Sequence, residues 1–170
     1  MTNSKIKLPL RYVPTTLNKK DKQKQLNMLL KSRRLYKKKQ YFTRKRVSSY
    51  KNKPSKHIMN ARKIYGIENI KPSKELALKT GCSLNTLNQI VRKGEGAYFS
   101  SGSRPNQTAQ SWGLARLASA LTAGKAAAVD YSILEKGCNP NKKAFKLATK
   151  AKKNYGSGNS HTKRTSVNLP

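Results

Sequence analysis

Residues 75–91 read ELALKTGCSLNTLNQIV, a stretch with the pattern of two helices joined by a tight turn. Ala77 lies four positions before Gly81, and Leu87 and Ile90 lie six and nine positions after that glycine. A small residue lets two helices approach closely, and glycine readily adopts the left-handed backbone conformation of a tight turn. The pattern therefore predicts a helix-turn-helix-like hairpin whose second helix is anchored by Leu87 and Ile90.

The hairpin is compatible with two roles. If it binds DNA, five side chains of its second helix are candidates for contacts with base edges and phosphates: Asn85, Thr86, Asn88, Gln89 and Arg92. Alternatively, the two helices pack inside a small core and read no bases. A helix, a glycine and a capped helix form a common arrangement, so the pattern indicates geometry more strongly than function.

Helix signals continue on both sides of the hairpin. Asn18 is a predicted N-cap with Asp21 in the first turn, and Ser55 and Gly66 bound a shorter helix. Residues 94–105 contain three glycines, three serines and a proline, which predicts a loop, with Asn106 capping the helix that follows. The predicted helices cover residues 19–39, 56–65, 72–80, 83–92, 107–123, 125–136 and 140–153.

The charge is unevenly distributed along the 170 residues. There are 38 Lys and Arg against six Asp and Glu, which gives a net charge of +32. Residues 1–63 carry +20, residues 64–141 carry +4 and residues 142–170 carry +8. We therefore expect a mainly α fold with a small helical core over 64–141 that contains the hairpin. Extended basic arms flank it: an N-terminal arm and helix over 1–63, and a C-terminal helix and flexible tail over 142–170. The first 16 residues have the pattern of an extended segment suited to the edge of a neighbour's sheet.

Several function classes are disfavoured by composition. The longest apolar run has four residues, whereas a membrane-spanning helix needs about 20. Cys82 and Cys138 are too few for a disulfide scaffold or a zinc site, and an intracellular setting would keep them reduced. His57 and His161 have no acidic neighbour in sequence. We therefore expect no catalytic residues, no metal and no cofactor.

A second motif interleaves cations with Tyr36, Tyr41 and Phe42 and contains no acid. Closely spaced cations neutralise phosphates and release counterions, and tyrosines can stack on bases or insert into protein grooves. The alternatives are a solvated charge run and a localisation signal. The candidate polyanion-binding residues are Arg33, Arg34, Lys37, Lys38, Lys39, Arg44, Lys45 and Arg46.

A third motif is the loop that ends at Asn106. Ser101, Ser103 and Arg104 precede a predicted helix N-terminus, where hydroxyls, amides and a guanidinium can hold an anion. No Gly-Lys-Ser/Thr follows the glycines, so the segment is not a P-loop. A structural loop that seats Tyr98, Phe99 and Trp112 is the favoured alternative.

Residues 93–119 read KGEGAYFSSGSRPNQTAQSWGLARLAS, and this run closely resembles small, highly basic proteins of large double-stranded DNA viruses of algae and amoebae, of phycodnavirus and mimivirus type. The upstream runs LNKKDKQKQ at 17–25, SRRLYKKK at 32–39 and YFTRKR at 41–46 are similar to that family as well. The resemblance covers residues 8–140. The family has no established activity, so it supplies no catalytic residues.

The resemblance implies a viral setting and a minor or internal capsid protein. The expected partners are other capsid proteins of the same virion, together with packaged DNA or an anionic inner-membrane surface, within a large assembly. The expected location is the virion, and the host cell interior during assembly. The alternative is a helix-turn-helix nucleic-acid-binding protein that acts in genome compaction or transcription.

Overall fold

The computed structural model describes residues 4–158 and 162–169, which contain eight α-helices and two strands. The mainly α prediction is confirmed. None of the described helices combines the length and apolarity needed to cross a membrane. The strands are β1 (Lys5–Pro9) and β2 (Arg164–Asn168). The helices are α1 (Lys19–Lys37), α2 (Lys56–Tyr65), α3 (Lys74–Thr80), α4 (Leu84–Ser100), α5 (Ala109–Leu121), α6 (Lys125–Val129), α7 (Tyr131–Gly137) and α8 (Lys143–Tyr155).

The chain divides into two compact units. The first unit consists of Met1–Lys53, Gly96–Ala109 and Thr162–Pro170, and the second of Pro54–Glu95 and Gln110–His161. By sequence, the first unit holds 21 Lys and Arg against one acid, and the second holds 17 against five. These units do not coincide with the charge-based segments 1–63, 64–141 and 142–170, whose role as separate domains stays a prediction.

The second unit is built on a single apolar cluster to which α2 to α8 all contribute. Leu87 and Ile90 of α4 are fully buried in it, which confirms their predicted role as anchors. The hydroxyl of Tyr65 donates a hydrogen bond to the carbonyl of Leu121 at 2.6 Å, so a polar group in this core is also satisfied.

The predicted hairpin is present. The hydroxyl of Ser73 accepts the amide of Leu76 at 3.1 Å and begins α3, and Gly81 ends that helix in the left-handed conformation, with φ of 78°. The hydroxyl of Ser83 then accepts the amide of Thr86 at 3.2 Å at the start of α4.

The turn of the hairpin is tied to the end of α7 by a disulfide between Cys82 and Cys138. The amide of Ser83 donates to the carbonyl of Gly137 at 2.9 Å, and the amide of Asn139 donates to the carbonyl of Gly81 at 2.8 Å. Two backbone hydrogen bonds thus flank the disulfide. The expectation that both cysteines are reduced is wrong in this structure. The fold brings the two residues, 56 positions apart in sequence, directly opposite each other, and they form a disulfide.

The predicted end of the second hairpin helix at Gly94 is wrong, because α4 continues to Ser100. A Cβ at Gly94 would lie only 2.7 Å from the Cα of Gly113 in α5. The glycine therefore permits a close helix–helix contact and does not mark a turn. The helix ends where the amides of Ser101 and Gly102 both donate to the carbonyl of Ala97 at 2.9 Å.

Asn106 does not cap a helix, contrary to the prediction, since α5 begins at Ala109. The side chain of Asn106 accepts the amide of Val47 at 2.7 Å and donates to the carbonyls of Val47 and Tyr50, each at 3.1 Å. The side chain of Asn106 thus bonds to a backbone segment as far as 59 residues away in sequence. The last helix likewise begins at Lys143, after the predicted proline start.

The ends of the described chain pair with each other. Strands β1 and β2 are antiparallel, with Lys5 opposite Asn168 and Pro9 opposite Arg164. The amide of Leu10 extends the ladder to the carbonyl of Lys163 at 2.9 Å. The predicted extended segment therefore joins a strand of its own chain, and residues 164–168 of the predicted flexible tail are part of a sheet. His161 lies outside the described residues.

We predict that replacing both cysteines, Cys82→Ser with Cys138→Ser, lowers the free energy of unfolding by about 4 kcal/mol, because the bond closes a long loop in the unfolded chain. Urea denaturation followed by the fluorescence of Trp112, the one tryptophan of the sequence, measures the effect. Reductant should shift the wild-type curve to that of the double variant and leave the variant unchanged. A wild-type curve that is insensitive to reductant would contradict the prediction.

Candidate polyanion-binding surface

Arg44 lies inside the first unit with only 7% of its surface exposed. Its Nη1 donates to the hydroxyl of Ser32 at 3.1 Å and to the carbonyl of Tyr98 at 2.8 Å. Its Nη2 donates to the hydroxyl of Ser103 at 2.7 Å. One guanidinium therefore joins α1, the end of α4 and the loop after α4.

The ring of Tyr98 completes this environment. The Cζ of Arg44 lies 3.8 Å from the ring centroid, and the Tyr98 hydroxyl accepts the Arg44 amide at 2.9 Å. The cation is thus solvated by neutral acceptors and an aromatic face. Burial lowers the pKa of Arg44 from its ordinary value, while Tyr98 and Tyr12 oppose that shift. The guanidinium remains charged because its ordinary pKa lies far above neutral pH.

Arg44 is therefore unavailable to an external polyanion, and its place in the predicted set is wrong. The anion-loop prediction fails at Ser103 for a related reason. That hydroxyl is fully buried, accepts from Arg44 and donates to the carbonyl of Arg104 at 2.7 Å. The Ser101 carbonyl accepts Nε of Arg33 at 2.8 Å, while the Ser101 and Arg104 residues are exposed. Tyr98 is buried, but it lies in α4, and residues 94–100 of the predicted loop are helical, so the favoured alternative is wrong in placing Tyr98 in a loop.

Asp21 is the only acid of the first unit, and it is used internally. Its amide donates to the side chain of Asn18 at 2.8 Å, which confirms the predicted cap of α1. Its carboxylate accepts the amide of Ser49 at 2.7 Å. Hydrogen bonds from Ser49 are the main cause that lowers the pKa of Asp21 below its ordinary value of 3.8. The carboxylate therefore fastens residue 49 to α1 and forms no ion pair with a described cation.

The other seven predicted polyanion-binding residues are not buried like Arg44. Arg33 is half-buried, and the remaining six are exposed: Arg34, Lys37, Lys38, Lys39, Lys45 and Arg46. The ion pairs of the described residues all involve Asp130 of the second unit, so no described carboxylate neutralises these six. Five further exposed lysines of α1 were missed because the prediction followed the densest run: Lys19, Lys20, Lys22, Lys24 and Lys31.

The five residues of the hairpin that are predicted to contact DNA differ in exposure. Asn85, Gln89 and Arg92 are exposed and follow the four- and three-residue spacing of one helix face. Asn88 is half-buried. Thr86 is only 4% exposed, shares a hydrogen bond of 2.8 Å with the hydroxyl of Ser83, and packs so tightly on Gly137 that a Cβ there would overlap it. Thr86 is therefore a packing residue, which contradicts its predicted contact with DNA.

Asp130 is fully buried in the second unit and is paired twice. It accepts Nζ of Lys93 at 2.7 Å, and Nε and Nη2 of Arg116, each at 2.8 Å. Across residues 4–158 and 162–169, no three side chains of His, Cys, Asp or Glu are grouped so that they could hold a metal ion.

Comparison with known families adds one finding. The profile of a family of unknown function, DUF5824, matches residues 9–144, about four fifths of the sequence. The chain belongs to this family. The DUF5824 range includes the Arg44 cluster, the six exposed cations and both cysteines, and it ends inside α8. No curated protein and no solved structure matches the chain.

We predict that Arg44→Met lowers the free energy of unfolding by about 3 kcal/mol, because the substitution removes a buried cation and leaves buried acceptors without donors. Arg46→Met is the matched control, since Arg46 is exposed two positions away, and it should change stability by less than about 0.5 kcal/mol. Urea denaturation followed by circular dichroism measures both. Equal effects of the two substitutions would contradict the internal role of Arg44.

We predict that Asp21 makes stability depend on acid pH. Because its pKa is lower in the folded state, its contribution is present above the unfolded pKa and is lost as the pH falls from the ordinary value of 3.8 through the lower folded value. Asp21→Asn should flatten thermal unfolding midpoints over this window, whereas Glu135→Gln, at an exposed position, should not. An identical pH profile for wild type and Asp21→Asn would refute the prediction.

Proposed function

We propose that the protein is a non-enzymatic structural component of the particle of a large double-stranded DNA virus, a minor or internal capsid protein that binds packaged DNA through the first unit. One observation carries the binding part. A unit with a net charge of +20 uses its single acid internally and exposes six of the candidate cations, with which no described carboxylate forms an ion pair.

Such a surface favours a polyanion on physical grounds. Unpaired like charges on one helix repel one another, and a bound phosphate backbone relieves this repulsion while releasing condensed counterions. The six exposed candidates include Arg34 and Lys37 in the last turn of α1 and Lys38, its C-cap, which are neighbours at helical spacing. Their guanidinium and ammonium groups are of the types that contact phosphate oxygens in DNA complexes.

The viral part of the proposal is supported by the resemblance of residues 93–119 and of the basic runs upstream. In this setting the partners are other capsid proteins of the same virion and packaged DNA, and the protein is located in the virion and, during assembly, inside the host cell. The same cations are complementary to an anionic inner membrane. The proposal commits to DNA because its phosphate backbone presents a continuous row of negative charges to the run of cations.

A second candidate function is a helix-turn-helix reader of DNA in genome compaction or transcription. The observation that favours it is the exposed face of α4, where two amides and a guanidinium follow one another as Asn85, Gln89 and Arg92. Amide and guanidinium groups form the bidentate contacts that distinguish adenine and guanine.

We predict that replacing five exposed cations of the first unit by glutamine (Arg34, Lys37, Lys38, Lys45 and Arg46) weakens binding to a 20-base-pair duplex roughly 100-fold at low salt. The slope of log affinity against log salt should flatten by up to about 4. The matched control removes five exposed lysines of the second unit: Lys56, Lys63, Lys71, Lys74 and Lys79. Fluorescence anisotropy across a salt series measures both variants.

Three results would change the proposal. Equal losses in the two variants would show that binding depends on total charge and not on the first unit. A preference for one sequence that Asn85→Ala or Arg92→Ala abolishes would select the reader. Absence of the protein from purified virus particles, tested by mass spectrometry, would remove the capsid role.

A further inference from the structure

Three aromatic rings of the first unit form a surface cluster. The ring centroids of Tyr36 and Tyr41 lie 6.2 Å apart at an interplanar angle of 62°, and those of Tyr41 and Phe99 lie 5.1 Å apart at 55°. Tyr41 is 68% exposed and Tyr36 is 38% exposed. A large ring in contact with two others, yet open to water over most of its surface, has a free aromatic face.

The backbone before Tyr41 is arranged to bring this ring back to α1. The amide of Lys39 donates to the carbonyl of Tyr36 at 2.9 Å, and the amide of Gln40 donates to the carbonyl of Leu35 at 3.0 Å. These are the two bonds of a Schellman helix end, a motif that normally has glycine at the left-handed position. Here that position is Lys39, with φ of 59°. The turn thus holds a lysine, two positions before Tyr41, in a conformation that glycine would adopt more readily.

The buried arginine cluster fixes the third ring. Phe99 follows Tyr98, whose carbonyl and ring hold the guanidinium of Arg44, and the carbonyl of Phe99 itself accepts the hydroxyl of Ser32 at 3.0 Å. Phe99 also packs edge-on against Tyr98, with centroids 5.0 Å apart. The backbone beneath the aromatic cluster is therefore held by hydrogen bonds from two buried residues.

Cations adjoin the cluster in sequence. Lys37, Lys38 and Lys39 lie between Tyr36 and Tyr41, all are exposed, and Arg34 lies one helical turn earlier. No described carboxylate forms an ion pair with any of these four. An exposed aromatic face next to unpaired cations matches the chemistry of a nucleotide, in which a flat base is joined to a phosphate.

We propose that Tyr36, Tyr41 and Phe99 form a stacking platform for unpaired bases, so that the first unit binds single-stranded nucleic acid more tightly than a duplex of the same length. This inference rests on the proposed polyanion binding and deepens it. In a duplex the bases are already stacked on one another, and only phosphates remain for the cations. In a single strand an unpaired base can stack on the exposed face of the Tyr41 ring. Lys37, Lys38 and Lys39 then neutralise the adjoining phosphates.

The test uses the full-length protein and three 12-nucleotide probes: oligothymidylate, an abasic strand of equal length and a duplex of equal length. Tyr41→Leu keeps an apolar side chain but removes the aromatic face, and Tyr41→Phe keeps that face. Tyr41→Leu should bind oligothymidylate about tenfold more weakly, with an unchanged salt slope because no charge is removed. Tyr41→Phe should bind like the wild type. Neither substitution should alter binding to the abasic strand or the duplex.

The outcomes separate this inference from the proposal on which it rests. If the wild type binds all three probes but Tyr41→Leu leaves the affinity for oligothymidylate unchanged, the platform is refuted while polyanion binding stands, and the cluster is then a protein contact. If the wild type binds none of the probes, both are refuted. Thermal unfolding of Tyr41→Leu close to that of the wild type, as expected for an exposed side chain, shows that a loss of binding is not a loss of fold.

Discussion

The first unit depends on the guanidinium of Arg44. Its donors face acceptors from segments far apart in sequence, namely the hydroxyl of Ser32, the carbonyl of Tyr98 and the hydroxyl of Ser103. None of these acceptors is charged, so the cation has exchanged water for a shell of neutral dipoles and one aromatic face. Any movement of residues 98–103 away from α1 would leave that charge buried without partners. The exposed features of the unit, its cations and its aromatic cluster, are carried by the backbone that this contact fixes.

The charged side chains of the first unit serve different purposes in its interior and at its surface. The single carboxylate, Asp21, holds the loop at Ser49, and the single buried cation, Arg44, holds the loop at Ser103. Within residues 4–158 and 162–169, no carboxylate forms an ion pair with the six exposed candidate cations. Their mutual repulsion opposes folding, and a ligand that neutralises them stabilises the folded state by mass action. Under the proposed polyanion binding, a bound polyanion would therefore raise the free energy of unfolding.

Local signals in the sequence predicted much of the fold. N-caps at Asn18, Ser55 and Ser73 and left-handed glycines fix helix ends within a few residues, so α1, α2 and α3 were expected close to their observed bounds. The failures all involve distant partners. Gly94 is small because Gly113 approaches it, and the side chain of Asn106 bonds to the backbone of Val47, 59 residues away. A run of cations likewise gives no sign that Arg44 turns inward, and nothing local indicates that Phe99 meets Tyr41. Six of the other predicted cations are exposed, which is the ordinary state of Lys and Arg, and their role in polyanion binding stays a prediction.

The pairing of β1 with β2 has a mechanical consequence. Because the strands are antiparallel, the first residue of one, Lys5, lies opposite the last residue of the other, Asn168. A load that pulls the two ends of the described chain apart would therefore break the hydrogen bonds of the ladder one after another. It would not load all of these bonds at the same time. The bond from the amide of Leu169 to the carbonyl of Ser4, at 3.0 Å, would yield first, and the bond from Leu10 to Lys163 would yield last. Tension on these two ends would therefore meet little resistance from the sheet.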